Sequence, residues 1–199
     1  MFSSTIALAL FTSVILPGVS IYSHESTRST CSTPQPTVDI LSRDKDKEIR
    51  DLFHFRKIYG QPKILRIHLN CNLDRLSVST YGFTLNDGTL FELGENSFRN
   101  KGISTFSGPK PSCFAGVGVE TYRFCNNFHM PAGLSVIAAT SNSRSIVLAT
   151  PKSVTTVFSS VLPIVDIATL PGPHYYGGVV TAMVQQDDHT IYYIVFQPD

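Results

Sequence analysis

The spacing of apolar residues changes near Pro62, and with it the type of element that the chain predicts. Upstream, Ile49, Leu52 and Phe53 stand at positions i, i+3 and i+4, which is the pattern of one helical face. Pro62 follows as a helix-terminating residue. The pattern therefore predicts a helix within residues 41–62, at the start of the folded domain.

Downstream of Pro62 the period falls to two, which predicts strands. In PKILRIHLN the polar Arg66 and His68 alternate with apolar neighbours, as in a strand with one solvated face. Three hairpins follow, with turns at residues 86–88, 141–144 and 186–189, and the first turn contains Asn-Asp-Gly, a strong hairpin signal. One helix followed by a mostly antiparallel sheet predicts an α+β domain.

Residues 116–125 predict a further strand, and Glu120 and Arg123 within it suggest a carboxylate–guanidinium pair. Residues three apart in a strand point to opposite faces, so the two side chains are not expected to meet. Simple alternation places Arg123 on the same face as Thr121 and Cys125.

The N-terminus begins with an apolar run, residues 5–16, that ends at a Pro-Gly pair and small residues. This pattern predicts a secretory signal peptide over residues 1–20, with a buried strand or helix as the alternative. The run is too short to span a bilayer comfortably, so no membrane association is expected. Residues 21–40, rich in Ser, Thr and Pro, predict an exposed tail, and residues 41–199 a single domain.

Four cysteines in a chain with a secretion signal predict two disulfides, for which three connectivities are open. The pair Cys113–Cys125 closes a short local loop, which leaves Cys31–Cys71 to tie the tail to the domain. Zinc is the alternative use of the cysteines, but the chain has no Cys-x-x-Cys or His-x-x-x-His pair. No metal site is therefore expected.

Composition gives little support to a partner that is attracted by the overall charge of the protein. The net charge is +1 and charged residues make up 16% of the chain, so no strong overall field would attract nucleic acid or an anionic membrane. The chain has no Walker loop, dinucleotide fingerprint or Gly-x-Ser-x-Gly elbow, and no cofactor is expected. A histidine and a carboxylate converging on one cleft would suit RNA cleavage, but the sequence does not show such convergence.

The segment GPHYYGG, residues 172–178, is the most distinctive candidate for recognition. Its proline and glycines predict a loop, and His174, Tyr175 and Tyr176 could stack on a base or contact a partner protein. Tyr192, on the neighbouring predicted strand, completes the candidate binding surface. The alternative is that one tyrosine folds back onto the sheet and the other side chains are solvated.

The C-terminal order VLPIV, LPGPHYYGG, VVTAMV, QQDDH and TIYYIVF, together with the early helix, resembles the small secreted fungal ribonucleases. It is similar in particular to the ribonuclease-like secreted effectors of powdery mildew fungi. The resemblance implies a ribonuclease-like fold without catalytic residues. Val161 stands where that family has its glutamate base, Gly177 and Gly178 stand where it has an arginine, and TIYYIVF lacks the histidine acid.

The resemblance implies a secreted, extracellular effector-like protein that acts by binding a host protein or host RNA, with the interior of the host cell as the alternative place of action. The alternative is an active secreted ribonuclease or other hydrolase with a differently placed histidine. A third hypothesis is a carbohydrate- or cell-wall-binding β module, which the absence of tryptophan makes less favourable. The sequence leaves the oligomeric state open.

Overall fold

A computed structural model describes residues 35–114, 121–130, 133–170 and 178–199, and this part of the chain is nearly all β. The prediction of a ribonuclease-like α+β domain with an N-terminal helix is therefore wrong. The one helix among the described residues, α1 (Lys47–Leu52), has six residues. Three antiparallel sheets form a β-sandwich-like fold.

Sheet A has five strands. In spatial order they are β1 (Thr37–Leu41), β3 (Ile58–His68), β15 (Thr190–Pro198), β14 (Val179–Gln185) and β13 (Ile164–Leu170). Sheet C has four, namely β4 (Leu76–Ser79), β5 (Gly82–Leu85), β6 (Thr89–Leu93) and β7 (Phe98–Ile103).

Sheet B has six strands, including one from the segment predicted to be helical. In spatial order they are β2 (Phe53–Phe55), β12 (Val154–Ser160), β11 (Ser145–Ala149), β10 (Gly133–Ala139), β9 (Thr121–Met130) and β8 (Cys113–Phe114).

The predicted helix is short because tertiary packing favours a strand directly after Leu52. Phe53 and Phe55 are buried while His54 between them is exposed, and the three residues pair with β12. A helix of six residues is marginal on its own, and the side chain of its N-cap, Asp46, makes no capping hydrogen bond. Packing of two phenylalanines against the sandwich therefore overrides the helical spacing.

Sheet A is the central layer, because its two faces pack into different cores. Tyr192 and Ile194 contribute to the core shared with sheet B, and Ile191 and Tyr193 to the core shared with sheet C. A strand buried on both faces is expected to be apolar at successive positions, which accounts for the run TIYYIVF.

The strand predictions hold better than the helix. The three predicted hairpins are confirmed as β5–β6, β10–β11 and β14–β15. The predicted strand around Arg66 is confirmed as β3. Residues 37–40 of the predicted tail belong to β1, which pairs with β3. Residues 21–34 lie outside the described residues, so the exposed tail stays a prediction.

Candidate functional site

A pocket of about 400 Å³ lies where the three sheets meet, and arginine dominates its charge. Ligand pockets are commonly of this volume. Its charged and polar lining residues are Asp74, Arg75, Arg123, Asn142, Ser143, Arg144 and Gln185. Its apolar lining residues are Leu73, Leu76, Pro109, Phe124, Pro163, Ile164 and Val165. Three arginines, one aspartate and several apolar residues therefore line the same pocket.

A β-bulge in β9 directs Arg123 to this pocket. Ile137 pairs with Asn126 and Ala139 with Arg123, so two steps along β10 span three steps along β9. Phe124, at φ 52°, supplies the extra residue in a left-handed conformation that is unusual for phenylalanine.

The bulge also reverses the side-chain alternation of β9. Tyr122 packs with Ala138 and Val147 in a small cluster, whereas Phe124, two residues later, packs in the core between sheets A and B. Cys125 contacts the small cluster, while Arg123 lines the pocket. The expectation that Arg123 and Cys125 share a face is therefore wrong.

Two contacts hold the Arg123 side chain in place. Its guanidinium carbon lies 4.9 Å from the centroid of the Phe124 ring, a cation–π distance. Its Nη1 donates to Ser143 Oγ at 3.0 Å. A guanidinium held from two sides loses less rotamer freedom when it binds an anion, and its other N–H groups stay available.

Ser143 also has a left-handed backbone, at φ 57°, and is almost fully buried. Its N–H donates to Thr140 O and its carbonyl accepts from Ile164 N, each at 2.8 Å. Asn142 Oδ1 accepts from the Arg144 N–H at 3.0 Å, which fixes the same turn. Two of the three non-glycine residues with positive φ in the described part of the chain thus line one pocket, and such conformations concentrate at functional sites.

The other two arginines contribute charge that the described residues do not neutralise. Arg144 donates from Nη1 to the carbonyl of Val161, a neutral acceptor. Within the described ranges, none of Arg75, Arg123 and Arg144 forms an ion pair. The pocket therefore concentrates positive charge, although the whole chain carries a net charge of only +1.

A buried ion pair supports the wall of the pocket at Pro109. Lys110 Nζ lies 3.3 Å from Asp166 Oδ2 and also donates to the carbonyl of Val78. The Asp166 carboxylate accepts from the N–H groups of Val78 and Lys110, at 2.8 and 3.1 Å. Burial raises the pKa of Asp166, and the hydrogen bonds and Lys110 oppose that rise. The pair thus links the loop before β8 to β4 and β13.

A second polar cluster lies between β1, β3, β15 and α1. Arg66 binds Asp39 through Nε and Nη2, at 3.0 and 2.9 Å, and Glu48 through Nη1 at 3.1 Å. His68 lies 3.5 Å from Asp39 and hydrogen-bonds Thr190 at 3.1 Å. A histidine and a carboxylate do converge here, but Arg66 occupies the same Asp39 oxygen. This arrangement fits a structural network better than a base held free for catalysis.

Tyr192 belongs to this second cluster and does not lie on the surface. The residue is fully buried, and its hydroxyl lies 2.9 Å from both the Glu48 carboxylate and the Gln186 amide oxygen. Burial, reinforced by Glu48, raises the pKa of Tyr192 to about 12. The other candidate binding residues, His174, Tyr175 and Tyr176, lie outside the described residues. The described residues that flank them, Leu170 and Gly178, lie at the opposite end of sheet A from Ile164 and Gln185, which line the pocket.

The described cysteines form disulfides, as the sequence predicts. The structure contains the Cys113–Cys125 disulfide, with a Cα–Cα distance of 5.9 Å. Cys71 is also disulfide-bonded, whereas Cys31 lies outside the described residues, so the Cys31–Cys71 pairing stays a prediction. No group of three potential metal ligands occurs within the described ranges.

The sequence did not point to the arginine pocket. Arg75, Arg123 and Arg144 come from three distant segments, and the bulge that directs Arg123 has no clear sequence signature. The one available signal was the polar turn SNSR, which places Ser143 and Arg144 together in a predicted hairpin turn.

No described helix has the length and apolar character needed to cross a membrane. Comparisons with protein-family models, with curated proteins and with solved structures find no match to this chain.

Proposed function

We propose that this protein is a secreted binding protein that takes the phosphate groups of single-stranded RNA into its arginine pocket. One observation carries the proposal: three arginines that form no ion pair among the described residues line a pocket of about 400 Å³. Guanidinium groups bind phosphate through two parallel, charge-assisted hydrogen bonds, which makes arginine a preferred phosphate ligand.

The apolar lining residues suit the pocket to a whole nucleotide as well as to a free phosphate. Pro109, Pro163 and Val165, which are exposed or only partly buried, line the same pocket as the arginines. Single-stranded nucleic acids are held by a positive surface that follows the backbone and by apolar or aromatic groups against the bases. We favour RNA over an acidic protein because the arginines and the accessible apolar lining together match a phosphate joined to a planar base.

The proposal is for binding without catalysis. His68, the histidine beside a carboxylate in the second cluster, hydrogen-bonds Thr190, and its neighbour Asp39 is paired with Arg66. Residues lining the pocket include no histidine. The carbohydrate alternative has little support in the described chain, where the exposed tyrosines Tyr59 and Tyr81 belong to different parts of the fold.

Fluorescence anisotropy with a short labelled single-stranded RNA tests the proposal. Replacing Arg123→Gln removes a hydrogen-bonded charge, and we expect the affinity to fall by about tenfold to a hundredfold. The matched control is Arg99→Gln, which removes the same charge from β7 outside the pocket and should change the affinity by less than about twofold. Wild-type binding should also weaken as salt rises, because phosphate contacts release counterions.

Three other outcomes would lead to a different conclusion. Equal losses in the Arg123 and Arg99 variants would show non-specific attraction and contradict the pocket. Failure to bind RNA, together with binding of an acidic peptide through the same arginines, would identify a protein partner instead. The same samples report RNA cleavage, and cleavage lost in a His174→Ala variant would support the hydrolase alternative.

A further inference from the structure

We infer that the Cys113–Cys125 disulfide is a redox switch for the arginine pocket, which binds its anionic ligand tightly only when the disulfide is intact. This inference rests on the proposed function and adds a means of regulating the same site. It arises from the position of the disulfide, which ties together two segments that both contribute to the pocket.

The disulfide is adjacent to the bulge in β9. Cys125 follows Phe124 directly, and the Cys125 N–H donates to Pro111 O at 2.9 Å. A left-handed phenylalanine costs free energy and persists only where its surroundings fix it. The covalent bond at the next residue is one of those constraints, and Arg123 depends on Phe124 for its stacking contact.

The disulfide also fixes the segment that provides Pro109 to the pocket. After β7 this segment contains one short strand, β8, whose two residues pair with Tyr122 and Thr121. Its other described links include the hydrogen bond from Cys125 N–H to Pro111 O, the contacts of Lys110 with Asp166 and Val78, and a contact between Ser107 and Ser77. Two paired residues and one further backbone hydrogen bond form a weak ladder, so the covalent cross-link is the strongest connection between this wall and β9.

A reductant can reach this bond. Cys113 and Cys125 are only partly buried, and the neighbouring Phe114 is 73% exposed. A small dithiol attacks one sulfur as its thiolate, forms a mixed disulfide and then releases the second protein thiol as its own ring closes. The protein disulfide gains two electrons and two protons, and the dithiol is oxidised to a cyclic disulfide.

Reduction therefore acts on both sides of the pocket. Phe124 loses a constraint on its left-handed conformation, so Arg123 is no longer held against Ser143, and the Pro109 wall can separate from β9. An oxidising extracellular space preserves the binding state, while a reducing cell interior favours release.

The test compares RNA affinity and hydrogen exchange in the oxidised protein and in the protein reduced with dithiothreitol. We expect reduction to weaken binding at least tenfold and to speed amide exchange in residues 121–126 and 140–144. A Cys113→Ser/Cys125→Ser variant should bind like the reduced protein and should not respond further to dithiothreitol. A Cys31→Ser/Cys71→Ser variant, which retains the cysteines of the switch, should respond as the wild type does.

Three other results would contradict either the redox switch or the proposed function. Unchanged affinity and unchanged exchange on reduction would overturn the switch. A response that is lost in the Cys31/Cys71 variant and kept in the Cys113/Cys125 variant would assign it to the other cysteines and also overturn it. If the oxidised protein does not bind RNA but reduction still speeds exchange at the bulge, the proposed function fails while the coupling of disulfide to pocket stands.

Discussion

Phe124 and Ser143 show at the scale of single residues how this chain builds a charged pocket. Both have a left-handed backbone, which is costly for residues other than glycine. Phe124 supplies a ring beneath Arg123, and Ser143 supplies the hydroxyl that accepts from it. Both backbone conformations cost free energy, and such a cost is expected where the side chain of Arg123 must be held in one position.

Substitutions at Ser143 separate backbone strain from side-chain positioning. Ser143→Ala and Ser143→Gly both remove the hydroxyl, so both should weaken RNA binding by about threefold to tenfold. Glycine adopts positive φ without a Cβ clash, so Ser143→Gly should be more stable to urea than Ser143→Ala by about 1 kcal/mol. Equal binding by wild type and both variants would show that Ser143 does not position Arg123.

The raised pKa values of two buried tyrosines predict how the stability of the protein changes at high pH. Burial raises the pKa of Tyr192 to about 12, and burial likewise raises the pKa of Tyr193, whose hydroxyl donates to Ser79 O at 2.8 Å. Since both folded-state pKa values exceed the unfolded value near 10, the stability that these groups contribute is complete below pH 10 and declines above it.

Urea unfolding between pH 9 and pH 11 measures this decline. A Tyr192→Phe variant should lose less stability over that range than the wild type, because phenylalanine does not ionise. The control Tyr81→Phe changes a residue that is 66% exposed and should follow the wild type. Parallel curves for all three proteins would contradict the raised pKa of Tyr192.

At the scale of elements, hairpins formed by neighbouring strands could be predicted from the sequence, whereas pairing between strands distant in sequence could not. The Asn-Asp-Gly turn correctly predicted the β5–β6 hairpin, since those residues favour a tight turn. The helix prediction failed because Ile49, Leu52, Phe53 and Phe55 fit a helical face and also fit a short helix followed by a strand. Only the pairing of Phe53–Phe55 with β12, distant in sequence, decides between them.

Gly82 at the start of β5 provides a test of this packing. Its φ is +151°, and an added Cβ would lie 2.0 Å from the carbonyl oxygen of Phe91 on β6. Gly82→Ala should therefore destabilise the protein by about 3 kcal/mol or more, because backbone must move. Gly60→Ala is the matched control: its φ is +62° but nothing lies within 4 Å, so only the conformational cost of about 1 kcal/mol is expected.

Thermal or urea unfolding of the two variants measures the difference. Similar losses at Gly82 and Gly60 would show that β5 and β6 can separate enough to admit a methyl group.

At the scale of the whole molecule, the central position of sheet A explains what the sequence could and could not predict. The apolar run TIYYIVF was consistent with a strand, but its burial between two cores depends on sheets B and C, which are built from other segments. The sequence predicts a binding surface at His174, Tyr175 and Tyr176, in one distinctive segment. The pocket instead joins Arg75, Arg123 and Arg144, which only the folded chain brings together.

The net charge of the chain also fails to predict the pocket, because the fold brings together arginines that are distant in sequence. A net charge of +1 suggested no attraction to nucleic acid, because it averages over the entire chain. The fold places three arginines beside a single carboxylate, Asp74, so the local charge around the pocket differs from the average. Local charge governs the last few ångströms of binding, where screening by salt is weakest.

Nuclear magnetic resonance of the arginine side chains tests the central claim most directly. The oxidised protein would be titrated with short single-stranded RNA while the Nε–Hε resonances are followed, with assignments from single Arg→Lys variants. The account predicts saturable shifts of Arg75, Arg123 and Arg144 with one common dissociation constant and an unchanged Arg99. Shifts spread evenly over the arginines, or none at the pocket when RNA is bound, would contradict it.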